Sequence, residues 1–245
     1  VRAFPLTGFR KIPLLLAAAL ALGACAHGGP VSVLEQRSGE QARSASYVAP
    51  ELFASVLFPP PPVPDSAEQQ ADLAGVLAWQ NKRTEADCAR AARTANDEYD
   101  AFWGDRSPFP GPVPGEFKEF FARVAADFEE ALDRIKDRFK RPRPFAAYPD
   151  DARPCIKKSK SFSYPSGHSS AARATAGILS DLVPQRRDEF YSKADAIALD
   201  RLVGGVHYPA DIAAGKAFGD LFHEELLKSA DYRREMEKMK ALLAK

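Results

Sequence analysis

Between residues 117 and 139 apolar side chains recur every three or four positions: Phe117, Phe120, Phe121, Val124, Phe128, Leu132, Ile135 and Phe139. That spacing lines one face of an α-helix for about six turns, and Pro142 marks where it must stop. Weaker helical patterns cover residues 66–103, where Leu73, Val76, Leu77, Ala91 and Tyr99 stand among Ala, Glu and Arg, and residues 167–182, 187–203 and 209–227, with a short helix after Ala230. Pro59 to Pro62 hold the chain extended before the first of these segments, and Pro108, Pro110, Pro112 and Pro114 break the chain after residue 103. No stretch alternates with period two, and no repeat is present. The pattern predicts an all-α, single-domain helical bundle.

Composition supports one sizeable core: 245 residues, 45% of them hydrophobic and 27% charged. Lys and Arg number 34 against 33 Asp and Glu, a net charge of +1, so nucleic acid is not an expected partner and any basic site must be local. At the N-terminus Arg2, Arg10 and Lys11 precede an apolar run at 12–24 that is too short to span a bilayer. It reads as a signal peptide over 1–24. Leu22-Gly23-Ala24-Cys25 resembles the bacterial lipobox, which makes Cys25 an expected site of lipidation.

Residues 25–56 are small and polar and read as a flexible tether, leaving 57–245 as the folded domain. Membrane contact is then expected only through a lipidated N-terminus. The protein would be periplasmic, held at the outer membrane, or secreted if Cys25 is not acylated. Export also places Cys88 and Cys155 in an oxidising compartment, where they either form a bridge or remain two buried thiols.

Ten Lys or Arg against three Asp between residues 134 and 160 give a local excess of +7. Within it, Lys136 stands near the end of the amphipathic helix, and Arg143 sits between Pro142 and Pro144. A point charge and a planar guanidinium fork can converge there on one phosphate. Tyr164-Pro165-Ser166-Gly167-His168 follows, immediately before a helix. Ser166 fits an N-cap, Gly167 lets an oxyanion approach the backbone, and His168 adds an ionisable group. In the third segment Arg201 precedes Gly204-Gly205, and the chain turns through His207 into a helix carrying Asp211. A carboxylate that accepts one imidazole N–H leaves the other ring nitrogen with a lone pair for attack.

K-x6-R-P, P-S-G-H and R-x5-H-x3-D, in that order, resemble the signature of the acid phosphatase and vanadium haloperoxidase superfamily, which includes the type 2 phosphatidic acid phosphatases. Phe58 with its prolines, the stretch from Lys136 to Phe145, and Cys155 are similar to the bacterial class A nonspecific acid phosphatases, so that the resemblance covers roughly residues 57–228. It implies an all-α fold and a phosphomonoester hydrolase that uses no metal or other cofactor. By that resemblance His207 is the nucleophile, Asp211 its orienting carboxylate and His168 the acid and base. Lys136, Arg143, Ser166, Gly167 and Arg201 hold the phosphate oxygens. Small phosphomonoesters are the expected partners, and a homo-oligomer stays open. A lipid phosphate or polyprenyl diphosphate phosphatase and a non-catalytic phosphate-binding lipoprotein are the competing readings. The chain departs from the family at Asp200, where the family carries Ser.

Overall fold

The computed structural model describes residues 45–95 and 99–244. The signal segment, Cys25 and the tether as far as residue 44 lie outside the described residues. The described chain is helical: α1 (Leu52–Ser55), α2 (Ala67–Lys82), α3 (Glu85–Arg93), α4 (Tyr99–Trp103), α5 (Gly115–Phe139), α6 (Pro144–Ala147), α7 (Gly167–Leu182), α8 (Arg187–Val203), α9 (Pro209–Lys228) and α10 (Ala230–Leu243). None of these helices is long and apolar enough to cross a membrane.

α7 lies at the centre, packed against both α8 and α9. Its sequence explains the position, because Ala172, Ala174, Ala176, Ile178 and Leu179 cover most of its circumference and all are buried. Close approach of α9 depends on two glycines. A Cβ on Gly215 would stand 2.7 Å from the Ser166 carbonyl oxygen, and one on Gly219 would stand 2.5 Å from that of Ser170. Phe117, Phe120, Val124, Phe128 and Ile135 of α5 turn inward, and Phe128 meets Phe222 of α9 edge-on, with ring centroids 5.2 Å apart. Burial of each such ring contributes roughly 2 kcal/mol.

The single helical pattern expected over 66–103 is divided. α2 ends at Lys82, and Thr84 caps α3 by accepting from the Asp87 amide, while the Asp87 carboxylate accepts from the Thr84 amide. The reciprocal pair stabilises a fresh helix start at the expense of continuity. A disulfide joins Cys88 of α3 to Cys155, across 67 residues of sequence, with Cα atoms 5.8 Å apart. The last helix is longer than expected: α10 runs for 14 residues, anchored by buried Tyr232, Met236 and Met239.

Residues 46–56, the final part of the segment that composition reads as a tether, pack against this body. The Asp127 carboxylate accepts from the amides of Ser46, Tyr47 and Val48 at 2.7–3.1 Å, and Val48 and Phe53 are buried. Two buried apolar side chains and one acceptor hold a stretch whose average composition is polar.

Candidate active site

A cavity of about 880 Å3 opens between α5, α7 and the loops that precede α6, α7 and α9. Lys136, Arg143, Gly167, His168, Arg201 and His207 all line it. Residues separated by 71 positions of sequence therefore share one chamber, because α5 delivers Lys136, the start of α7 delivers Gly167 and His168, and the turn before α9 delivers His207.

That turn relies on Gly205, whose φ of +74° places it in the left-handed region. His207 follows, 1% exposed. Its Nδ1 lies 3.3 Å from Asp211 Oδ2, and its Nε2 lies 3.1 Å from Arg143 Nη1. A guanidinium can only donate, so Nε2 is the acceptor and the ring proton belongs on Nδ1. Burial, reinforced by the charges of Arg143 and Lys136, pushes the His207 pKa well below the usual imidazole value. The ring is neutral, with its lone pair turned toward the cations.

Asp211 stands in the first turn of α9, fully buried. Its carboxylate accepts from Arg141 Nη1 at 2.7 Å, Ser163 Oγ at 2.5 Å and the Tyr208 amide at 2.9 Å. Burial pushes its pKa up, and Arg141, Ser163 and the Tyr208 amide oppose that shift. Arg141 is itself fixed by Asp72 and Gln69, each 2.6 Å from Nη2, and by the Tyr208 ring, 4.0 Å away. Asp72 also accepts from the Ala210 amide, which ties α2 to the start of α9.

The cations of the chamber are held by carbonyl oxygens. Lys136 Nζ donates to Phe162 O at 2.6 Å and Pro165 O at 2.9 Å. Burial and the neighbouring Arg143 lower its pKa to about 7. Arg143 donates to Ser161 O, Ser161 Oγ and Val206 O, and burial lowers its pKa to about 10. Arg201 donates to Ala91 O and to Thr94 Oγ1. His168 places Nε2 3.1 Å from Ala95 O, with its ring 5.8 Å from that of Phe102.

Ser166 is the cap of α7, but its Oγ accepts from the Ser169 amide and hydroxyl and does not line the cavity, while the Gly167 backbone does. Asp200 turns away from the chamber: its oxygens accept from Arg90 Nε at 2.9 Å and Thr94 Oγ1 at 3.0 Å. Adjacent residues on a helix diverge by about 100°, so Arg201 can face the cavity while its neighbour does not.

The PAP2 superfamily model matches residues 123–234. The chain carries a PAP2 superfamily domain. A non-specific acid phosphatase of Providencia stuartii is 28% identical over 202 residues, covering 77% of this chain and 80% of that protein. An acid phosphatase of Zymomonas mobilis is 32% identical over 112 residues, 43% of this chain and 41% of its own length. Among solved structures, a transmembrane PAP2 type phosphatidylglycerolphosphate phosphatase from Bacillus subtilis shares the helical fold with a TM-score of 0.50 and 20% identity, over 73% of this chain and 90% of that one.

In this PAP2 domain the spaced motifs point to every cavity-lining group named above, yet sequence reasoning missed Arg141, Asp72 and Ser163, the residues that hold Asp211. Arg141 sits two positions before Arg143 in Arg141-Pro142-Arg143-Pro144. That doubled arginine was the one available signal, and nothing in it says which guanidinium turns toward the carboxylates.

Proposed function

We propose that the protein is a phosphomonoester hydrolase that works through a phosphohistidine on His207, without a metal. The observation that carries this reading is the orientation of the His207 ring, whose Nδ1 faces Asp211 Oδ2 at 3.3 Å while Nε2 faces the cationic chamber beside Arg143 at 3.1 Å. Nε2 attacks phosphorus as the ester P–O bond breaks, and His168 protonates the leaving alkoxide. Water, deprotonated by His168, then breaks the P–N bond and releases phosphate. Lys136, Arg143, Arg201 and the Gly167 amide stabilise the equatorial oxygens, and Asp211 supports the ring charge that develops on attack. Ser166 acts one step back, by capping the helix that aims those amides.

Release of p-nitrophenol from its phosphate ester in the presence of chelator, with His207→Ala inactive, is the expected result. Equal turnover in that variant would rule out the role of His207, and phosphate binding without any turnover would favour the binding-lipoprotein reading. The apolar wall formed by Phe102, Phe121, Phe128, Ile178 and Phe222 favours a second reading, hydrolysis of lipid phosphates or polyprenyl diphosphates. A substrate panel spanning sugar phosphates, nucleotides and phosphatidate distinguishes the two.

Residues 1–24 and Cys25 support export as a lipoprotein of the periplasm. Labelled palmitate should be incorporated into the full chain and lost in Cys25→Ser.

A further inference from the structure

The local excess of basic residues is larger than a phosphate cradle needs, and the fold divides it. Arg134 pairs with Glu130, Arg138 donates to Val56 O and Arg141 is committed to Asp72 and Asp211. Lys136 and Arg143 belong to the cradle. Lys140, Arg153, Lys157, Lys158 and Lys160 remain, all exposed to solvent, and of these Lys157, Lys158 and Lys160 line the mouth of the same cavity.

The segment that bears them is fixed at both ends. At its start, Cys155 is bonded to Cys88, and its amide donates to Gly204 O at 3.1 Å. At its end, Ser161 accepts from Arg143 through its carbonyl and its hydroxyl, and Phe162 O accepts from Lys136. The lysines are thus held above the chamber by the same side chains that form its cradle. Among the described residues no carboxylate is within ion-pair distance of any of the three, and Lys158 instead lies 5.3 Å from the centre of the Phe145 ring.

The wall as a whole carries six cations, Lys136, Arg143, Lys157, Lys158, Lys160 and Arg201, against the carboxylates of Glu129 and Asp133. That leaves an excess of four positive charges with Lys136 protonated. A phosphomonoester dianion, with about two negative charges, neutralises half of it.

We propose that Lys157, Lys158 and Lys160 form a second anion site that selects phosphomonoesters bearing another anionic group, a second phosphate above all, on the leaving-group side. The inference rests on the phosphatase reading and names the substrate class of that site. The three exposed ammonium groups gain from an added dianion by modest, salt-sensitive amounts that accumulate, and about tenfold in kcat/KM at low salt is the expected preference.

The test compares hexanediol monophosphate with hexanediol bisphosphate, halving the latter's rate for its two equivalent ends. The wild-type protein should prefer the bisphosphate by about tenfold at low salt. In K157A/K158A/K160A the ratio should fall below about twofold, and in K157R/K158R/K160R it should persist. Addition of about 0.5 M sodium chloride to the wild-type protein should collapse the ratio without any substitution. A wild-type ratio near one, a ratio unmoved by salt, or a ratio retained in the triple alanine variant overturns the second site. Release of phosphate from neither ester overturns the phosphatase reading instead.

Discussion

Replacing Asp211 by Asn keeps the shape of the side chain and changes what it can offer. The carboxylate accepts from Arg141, Ser163, the Tyr208 amide and His207 Nδ1. An amide has one accepting oxygen and two N–H donors. With its oxygen kept by Arg141 or the Tyr208 amide, its nitrogen faces His207 Nδ1, which must then accept. The ring proton moves to Nε2, where it meets the Arg143 N–H at 3.1 Å and removes the lone pair that attacks phosphorus. A wrong tautomer in a comparably oriented histidine costs about 10^4-fold in turnover, so a fall of about 10^3 to 10^4 is expected here.

Stability should fall as well. Breaking a buried ion pair costs about 3–5 kcal/mol, but Arg141 keeps Asp72 at 2.6 Å, which puts the expected loss at the lower end. For a domain of this size about 3 kcal/mol corresponds to a Tm lower by roughly 6–12 °C. Steady-state hydrolysis of p-nitrophenyl phosphate, with thermal melts of the same preparations, measures both. Asp211→Asn with more than a tenth of wild-type turnover would refute the argument that this carboxylate sets the tautomer of His207.

Asp200→Ser should change turnover by less than tenfold and cost about 1 kcal/mol, because of the two partners it abandons Arg90 has a side chain 42% exposed and keeps Asp87, while the Thr94 hydroxyl keeps Ala91 O; a large rise in turnover would mean that the carboxylate reaches the chamber after all. Competitive inhibition by sulfate should weaken as pH rises through about 7, where Lys136 gives up its proton and its charge, and Lys136→Arg should remove that inflection. An inhibition constant flat from pH 6 to about 9 would place the anion away from Lys136. Opening the Cys88–Cys155 bridge by reduction should lower stability by up to about 4 kcal/mol, from the 67 residues it closes, as read from denaturant midpoints with and without reductant. Unchanged midpoints would show that the crosslink constrains little.

The parts of this fold that were legible in the sequence are those determined locally. The apolar stripe of α5 gives its own period, and the starts of α7 and α9 are written by Ser166 and by Pro209 with Asp211. The division of 66–103 into separate helices depends on the Thr84 and Asp87 pair, a four-residue signal that a longer periodicity conceals. The docking of residues 46–56 was hidden because it is set by Asp127, about 80 positions away. The same holds for the site. Motif spacing points to the groups that line the chamber, while Arg141, Asp72 and Ser163 acquire their roles only when α2, the turn before α6 and the loop after it close on α9. Ser, Asp and Arg at such positions look like ordinary surface residues until that closure buries them.

The central claim is that Nε2 of His207 takes the phosphoryl group. In His168→Ala the base that activates water is missing, while p-nitrophenolate leaves without needing a proton, so with p-nitrophenyl phosphate as substrate the phosphorylated protein should accumulate. Alkaline quenching of that variant during turnover, followed by mass spectrometry of its peptides, should locate a phosphoryl group on His207 and on no other side chain. Turnover by the wild-type protein, together with an unmodified His207 or a label at another residue in the variant, would contradict the account.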